Sequence, residues 1–347
     1  MTHPALDERS GEVLKSLIQA HVTTGEPVGS ESLSRLLSRP LSPATVRTIM
    51  AELERLGLLD HRHTSAGRIP TDEGYRYYVD SLMGLASLAP RDAAAIRSGL
   101  RSEGSPQEVL ETACRLLSTL SRNVAFVLAP DIARTSFRHI DFVRLPHPRV
   151  LVVIVDQTGL VTHKVIEVEE EMAQADLQAC ANYLNAQFAG MRLAEVRARL
   201  LELMAEEKAL YDSLLKKVVS VGERAFAAED DGGNVFLDGT AHILETPEFE
   251  DLTRMRALFK TFEEKSRLVK ILNASLSDAG IRVLIGHENS EPELRDTSLV
   301  AASFPLEGEA GFGVGVVGST RMEYARVIAL VDHVARELTR ALRELRA

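Results

Sequence analysis

Residues 42–71, SPATVRTIMAELERLGLLDHRHTSAGRIPT, constrain the fold more than any other stretch of this chain. Ser42 is suited to cap a helix, and Pro43 fits the first helical position, where its missing N–H breaks no bond. Gly57 predicts a left-handed stop. Between these ends, apolar residues recur at helical spacing and predict one buried stripe, formed by Val46, Ile49, Met50, Leu53 and Leu56.

The opposite face of this helix carries small, hydroxyl-bearing and charged side chains, namely Ala44, Thr45, Arg47, Thr48, Ala51, Glu52 and Arg55. A helix that enters the major groove of DNA needs small residues for close approach, methyl groups for thymine and arginine for guanine. The solvated face of an ordinary core helix has similar polarity, so the sequence context has to decide. Our interpretation is DNA contact by Ser42, Ala44, Thr45, Arg47, Thr48 and Arg55.

That context is a set of short helices. Residues 6–22 predict a first helix, which the segment TTGEPVG breaks. Ser30 is expected to cap a second, short helix, ESLSRLLS, and is included among the predicted DNA contacts. A short helix, a tight turn and a capped helix predict a helix-turn-helix. Thr71 is expected to cap a fourth helix.

The segment LLDHRHTSAGRIPT predicts two short strands around a Ser-Ala-Gly turn. His61 and His63 would share one face of a strand, but a structural zinc site needs four ligands and no cysteine is near. A basic hairpin after a recognition helix is typical of a winged helix, whose arginines lie along phosphates or enter a narrow minor groove. The predicted contacts in this wing are His61, Arg62, His63, Thr64 and Arg68. An ordinary surface hairpin is the alternative.

The charge distribution agrees with a DNA contact in this region. The whole chain has a net charge of −10, but residues 35–68 contain six arginines and three acidic residues, a local charge of +3. A contact with a polyanion is therefore expected there rather than on the acidic remainder. The sequence has no basic N-terminal stretch followed by an apolar one, and its apolar runs are too short to cross a bilayer. A cytoplasmic protein without a membrane contact is expected.

The rest of the chain predicts an interrupted α+β domain. Residues 86–105 are expected to be a linker, with Pro90 inside it, Pro106 directly after it and many polar residues. Strand-like runs follow between residues 124 and 168, residues 169–277 are mostly helical in pattern, and strands return before a long final helix. A capping box, Thr320 to Glu323, is expected to start that helix. Strands, a helical block and strands again indicate a helical insertion in an α+β domain.

Two further patterns each allow more than one interpretation. Apolar residues at helical spacing form a candidate dimer seam, namely Leu193, Val196, Leu200, Leu203, Leu210 and Leu214. A helical core packed within the chain fits the same spacing equally well. The run GVGVVG at residues 313–318 matches a dinucleotide motif, but no further strand follows the next helix, so a β-strand is the better interpretation. No cofactor, no metal site and no enzymatic activity are predicted.

Five segments carry a family resemblance: GEPVGSESLS, LSPATVRTIMAELERLGLL, HTSAGRIPTDEGYRYYVD, NVFLDGTAHILETPEF and GSTRMEYARVIALVDHVARELTRAL. They are spread from residue 25 to residue 342, and their order and spacing resemble those of the HrcA family of heat-inducible transcription repressors. SAGRIPTDEGYRYYVD and GSTRMEYARVI are the most specific of these motifs.

The resemblance implies a winged-helix domain at residues 1–85, a GAF-like domain in two segments, 106–188 and 265–347, and an inserted dimerisation domain at 189–264. It implies a homodimer that represses chaperone operons by binding double-stranded DNA at an inverted-repeat operator, the CIRCE element. It also implies that the chaperonin GroEL is a partner that modulates the repressor, with release of the operator on heat stress. The alternative is a ligand-responsive winged-helix regulator that senses a small molecule in its GAF-like domain.

Overall fold

The computed structural model describes residues 5–61, 67–84, 87–101, 104–129, 136–157, 159–205, 213–226, 235–244, 252–264, 267–269, 271–272, 280–304 and 312–345. Its helices are α1 (Glu8–Thr24), α2 (Ser30–Leu36), α3 (Pro43–Arg55), α4 (Asp72–Tyr77), α5 (Pro90–Gly99), α6 (Pro106–Ser121), α7 (Gln174–Phe188), α8 (Leu193–Ala205), α9 (Ser213–Phe226), α10 (Ala241–Leu244), α11 (Leu252–Glu263) and α12 (Tyr324–Glu344). None of the helices described here is both long enough and apolar enough to cross a membrane.

Its strands are β1 (Leu59–Asp60), β2 (Ile69–Pro70), β3 (Val124–Leu128), β4 (Phe137–Arg144), β5 (Arg149–Asp156), β6 (Val161–Glu167), β7 (Val235–Asp238), β8 (Gly280–Ile285), β9 (Thr297–Phe304) and β10 (Phe312–Ser319). They form three sheets of two, five and three strands, and every pairing is antiparallel. The fold class is therefore mixed α+β, as the sequence predicts.

The three N-terminal helices form where the sequence predicts them, and local caps fix the ends of α1 and α3. Asp7 accepts the N–H of Ser10 at the start of α1, and Gly25 ends that helix with φ 77°. The predicted Ser30 cap is wrong. Ser30 is the first residue of α2, and Gly29 occupies the cap position in an extended conformation, without a side-chain bond.

Residues 86–105, expected to be a linker, contain the helix α5. Its Ile96 is fully buried, and Leu100, which follows the helix, is 3% exposed. Both side chains belong to the same hydrophobic core as α6. The linker prediction is wrong over α5 because these two apolar residues, four positions apart, anchor one face of the helix in the core.

A five-stranded sheet, in the order β7-β3-β10-β9-β8, forms the centre of the protein. Alternate side chains enter two different cores. Along β10, Val314 and Val316 share a core with α6 and α12, whereas Val317 shares a core with α11 on the other face. The sequence pattern does not predict the strand β7, since its four residues lie between helical patterns and give little periodic signal. GVGVVG lies within β10, and a Cβ on Gly315 would lie 2.5 Å from the Val300 carbonyl oxygen.

Residues 136–226 interrupt the central sheet between β3 and β7 and have a hydrophobic core of their own. The sheet β4-β5-β6 supplies one layer of this core, and α7, α8 and α9 supply the other. Leu184 of α7 and Val196 of α8 are buried in it together. The expected boundary between residues 188 and 189 therefore falls inside a continuous core, and the interrupting unit contains a sheet as well as helices.

The candidate dimer seam lies partly in this same core. Leu193, Val196 and Leu200 are 3%, 0% and 0% exposed, packed with α7 and α9 of their own chain. The seam prediction is wrong for these three residues, because an amphipathic helix shows the same spacing whether its partner belongs to its own chain or to another. Leu210 and the side chains of Leu203 and Leu214 lie outside the described residues.

The final helix α12 starts in a different way from the one predicted. Glu323 occupies the cap position without a side-chain cap bond, so the expected capping box is not formed. Tyr324 is 1% exposed instead, and its hydroxyl donates to the Thr320 carbonyl oxygen at 2.7 Å. The Ser298 hydroxyl lies 2.7 Å from the Tyr324 hydroxyl. A buried tyrosine, bonded to main chain and sheet, therefore anchors the start of α12.

Candidate nucleic-acid interface

The helix α3 starts at a side-chain cap and ends at a glycine, as the sequence predicts. The Ser42 hydroxyl accepts the N–H of Thr45 at 3.1 Å, and Pro43 is the first helical residue. Leu56 follows the last helical residue as the C-cap, and Gly57 after it has φ 76°. These local signals fix both ends of α3, so they also fix which of its side chains lie on each face.

One face of α3 is buried against the neighbouring helices. Val46, Met50 and Leu53 are 0%, 3% and 0% exposed, and Ile49 and Leu56 pack against the same core. The opposite face is exposed along its whole length, and it includes the six predicted DNA contacts Ser42, Ala44, Thr45, Arg47, Thr48 and Arg55. The structure thus brings these six residues together on one accessible surface.

The hydroxyl groups on this surface are engaged within the helix. Thr45 Oγ1 lies 2.9 Å from the Ser42 hydroxyl, and Thr48 Oγ1 donates to the Ala44 carbonyl oxygen at 3.1 Å. The threonine methyl groups therefore remain as the groups available for outside contact. Together with the Ala44 methyl they form a small apolar surface, the kind that contacts the C5-methyl group of thymine.

The two arginines of this surface differ in their surroundings. Arg55 lies 3.8 Å from the Glu52 carboxylate, with both side chains exposed. Arg47 is exposed and forms no ion pair within the described part of the chain. Its guanidinium is the more available of the two for a bidentate contact with guanine or with a phosphate.

A third segment of the chain pairs with the hairpin after α3, and the sequence pattern does not predict this pairing. Leu59 and Asp60 pair with Pro70 and Ile69, and Val28 forms a bridge with Arg68 through two backbone hydrogen bonds of 2.9 and 3.0 Å. The segment before α2 therefore holds the base of the hairpin. Such long-range pairing leaves no periodic signal, since one bridge residue has no alternation to read.

Gly67 is required by this bridge. Its φ is +95°, and a Cβ at this position would lie 2.6 Å from the Val28 carbonyl oxygen. A side chain would therefore be strained both by the backbone conformation and by the close approach of Val28.

Arg68 is held inside the protein rather than left free for phosphate. Its Nε donates to the Glu54 carboxylate at 2.8 Å, and the two side chains are 21% and 35% exposed. Its Nη1 donates to Nδ1 of His61 at 3.0 Å. The expectation of a phosphate contact is corrected for Arg68, because Glu54 on the last turn of α3 takes up its charge. Arg68 and His61 instead join the hairpin to the end of α3.

The remaining predicted residues divide between two places. Ser30 is half-buried at the start of α2. Arg62, His63 and Thr64 lie outside the described residues. In the described chain, no group of three or more His, Cys, Asp or Glu side chains is arranged to hold a metal ion.

We predict that Gly67→Ala destabilises the hairpin. Its positive φ and the contact with Val28 should together cost about 1–3 kcal/mol in the free energy of unfolding. Chemical denaturation measures this change. Gly84→Ala is the matched control, since a Cβ at Gly84 meets nothing within 4 Å and its φ is not positive. Equal stability of the two variants would contradict the assigned role of Gly67.

Comparison with known proteins identifies the family of this chain. The family model for the HrcA protein C terminal domain matches residues 107–328. The heat-inducible transcription repressors HrcA of Geobacter sulfurreducens and Syntrophobacter fumaroxidans are 42% and 37% identical over 97% and 98% of this chain, and each match covers 98% of the relative. A crystal structure of a hypothetical protein at 2.2 Å resolution shares the fold, with a TM-score of 0.67 and 21% identity over 98% of this chain and all of that one. This chain belongs to the HrcA family of heat-inducible transcription repressors, which are not enzymes.

Proposed function

We propose that this repressor binds an inverted-repeat operator of the CIRCE type upstream of chaperone operons, in the cytoplasm, where the DNA is. In this proposal residues 1–85 form a winged helix-turn-helix, with α3 in the major groove and the hairpin as the wing. The observation that carries the proposal is the exposed face of α3. There Ala44, Thr45 and Thr48 offer methyl groups, and Arg47 offers a guanidinium that forms no ion pair with any described residue. The central sheet with α6 and α12 would be the GAF-like domain.

A net charge of −10 does not oppose this proposal, because the local field decides contact with DNA. The positive end of the α3 dipole lies at the exposed Ser42 end, and Arg47 lies one turn further on. Binding should weaken steeply with salt, by a log–log slope of about −0.9 for each phosphate neutralised.

Arg47→Ala tests the assignment of α3. A duplex is first selected by the wild-type protein from a random-sequence pool, and base-pair variants of it are then compared. Loss of one bidentate base contact should weaken binding by about 1–3 kcal/mol and reduce discrimination at one position of the half-site. Binding is measured by fluorescence anisotropy at fixed salt concentration.

Arg336→Ala on α12 is the control, because Arg336 is an exposed arginine paired with Asp332 on the same helix. Unchanged ranking of the duplex variants by Arg47→Ala would show that α3 does not read the bases. Selection of no inverted repeat by the wild-type protein would overturn the proposed function itself.

A dimer is part of the proposal, because a two-fold operator is matched by a two-fold protein. The sheet β4-β5-β6 offers a surface for it. One face is covered by helices, while the other face places Val143, Leu151 and Val165 side by side across the three strands. Val143, Val161 and Val165 are 42%, 48% and 47% exposed. We propose that a second copy of the chain covers this apolar face, which makes residues 136–226 the dimerising unit.

Val165→Asp should weaken the dimer at least ~tenfold, because the carboxylate would be buried without a partner at the interface of two sheets. Sedimentation equilibrium measures the dissociation constant. Leu36→Asp on α2 is the control, since Leu36 is 60% exposed on the other part of the molecule. If Val165→Asp and Val161→Asp both dimerise like the wild-type protein, the interface lies elsewhere.

Heat release and modulation by the chaperonin GroEL complete the proposal and rest on family membership. We expect purified GroEL to increase the fraction of repressor that binds its operator, and an excess of unfolded protein to remove this gain by competition. Operator binding across a temperature series, with and without GroEL, measures both effects. If the temperature curves of operator binding are identical with GroEL, without GroEL and with added unfolded protein, the chaperonin is excluded from the mechanism. Direct sensing of temperature by the repressor then remains.

Ligand sensing is the alternative that the sequence left open. A cavity of about 520 Å³ lies between the ends of α1 and α6 and the start of α12, with Arg122, Arg321 and Arg326 in its lining. Two of these arginines have structural partners, since Arg321 donates to the Val22 carbonyl oxygen and Arg326 to that of Leu120. They cap the last turns of α1 and α6, so the cavity gives ligand sensing no specific support.

A further inference from the structure

A cluster of charged side chains joins α4, which follows the hairpin, to the end of the strand β8. The Asp72 carboxylate accepts two bonds of 3.0 Å from His287, one from the backbone N–H and one from Nδ1. Arg76 donates from Nε to Glu288 at 2.7 Å. We call these four residues, Asp72, Arg76, His287 and Glu288, the α4 clamp.

Arg76 also fixes α4 to the sheet itself. Its Nη2 donates to the Val283 carbonyl oxygen at 2.6 Å, on the outer edge of β8. Its Nη1 donates to Asp80 at 3.2 Å, and the side chain is 18% exposed. A half-buried guanidinium with three separate acceptors holds one orientation, unlike an exposed surface pair.

The loop on the other side is built to receive α4. Gly286 has φ +53°, and a Cβ there would lie 1.9 Å from Asp72 Oδ2, so the approach of Asp72 requires glycine. Asn289 is 3% exposed, and its Nδ2 donates to the carbonyl oxygens of Gly286, Leu294 and Thr297. The buried amide therefore holds the loop in shape, and the Glu288 carboxylate accepts the Ile285 N–H at 2.8 Å.

The acidic groups around His287 favour its charged form. The hydrogen bond to Asp72 raises the pKa of His287 above its usual 6.5, and Glu73 and Glu288 add to this effect. A raised pKa in the folded state means that this contribution to stability is fully present below pH 6.5 and is lost as the pH rises through the raised value. The His287 side chain is 53% exposed, so the contribution is small beside that of Arg76.

Two further contacts make the junction rigid. The rings of Tyr75 and Tyr324 lie 5.7 Å apart, and both residues are buried. Arg321 reaches the last turn of α1 at the Val22 carbonyl oxygen, 3.1 Å away. Together with the α4 clamp, these contacts come from different elements and fix the orientation of the N-terminal helices to the central sheet, whereas a single contact would leave a hinge.

We propose that Asp72, Arg76, His287 and Glu288 are positioning residues, which hold α3 at a fixed orientation to the central sheet and thereby set the half-site spacing that the dimer accepts. The proposal rests on the proposed function. In a dimer, rigid connections between the two α3 helices restrict simultaneous binding to half-sites at one spacing. The clamp residues contact no DNA in this scheme. They therefore affect which half-site spacing the dimer prefers and not which bases α3 recognises.

The variant Arg76→Gln tests whether the preference for one spacer length can be lost while base recognition by α3 is retained. The probes are the duplex selected by the wild-type protein, the same duplex with its spacer lengthened or shortened by two base pairs, and a single half-site. Wild-type protein should lose about two orders of magnitude in affinity on the altered spacers, since simultaneous engagement is lost. Arg76→Gln should bind the half-site like the wild-type protein and should lose most of this preference for one spacer.

Arg336→Gln is the matched control, because Arg336 is an exposed arginine of α12 outside the junction. Thermal unfolding and circular dichroism of each variant show whether it is folded. Gly286→Ala disturbs the clamp from the loop side and should give the same loss of spacer preference. The double variant Arg76→Glu with Glu288→Arg reverses the main pair and should recover part of that preference.

The outcomes distinguish this proposal from the function on which it rests. A wild-type protein that selects no inverted repeat contradicts the proposed function. A wild-type protein that prefers one spacer, with folded Arg76→Gln and Gly286→Ala variants that keep the same preference, overturns the positioning role alone. A variant that loses affinity for the half-site as much as for the full operator would also overturn it.

Discussion

One hydrophobic core connects the N-terminal helices to the central sheet, and the rest of the structure depends on it. It contains Leu14 and Leu17 of α1, Val46 of α3, Val314 of β10 and Leu338 of α12, all fully buried. Burying each such side chain stabilises the fold by about 1.5–3 kcal/mol relative to exposure. The same packing decides which face of α3 is left in solvent. The candidate DNA-reading surface is therefore the remainder of a core helix, and its position is set by the sheet.

The sequence predicted the features that local chemistry determines. Ser42, Pro43 and Gly57 fix the ends of α3 through bonds between residues close in the chain, and the apolar spacing fixes its buried face. Contacts between distant residues could not be predicted in this way. The Arg68–Glu54 pair and the Val28 bridge depend on how the hairpin folds back, so Arg68 looked like a free cation. Exposure of a charge is a property of the fold and not of its residue type.

Two errors share one physical cause. Leu193, Val196 and Leu200 repeat at the spacing of an interface, and the boundary at residue 188 was placed before them. An apolar stripe shows only that a helix is buried, and the partner can be any apolar surface. The exposed valines of β4 and β6 carry more information about a dimer, because they stay uncovered after the chain has buried its core. These valines lie side by side only because of the register of the sheet, and the spacing of apolar residues along the sequence does not predict that register.

The two most specific motifs of the sequence meet at one place in the fold. SAGRIPTDEGYRYYVD contributes Arg76 and Tyr75, GSTRMEYARVI contributes Arg321 and Tyr324, and all four lie at the junction between α1, α4 and the central sheet. Base reading needs only the exposed side chains of α3, so it gives no reason for buried tyrosines and a shielded arginine so far along the chain. The proposed dimer, which would bind two half-sites at one spacing, also needs a fixed orientation between its two α3 helices. Under the proposed positioning role, the contacts of Arg76 and Arg321 and the Tyr75–Tyr324 pair supply that fixed orientation, which accounts for buried tyrosines and a shielded arginine in these two motifs.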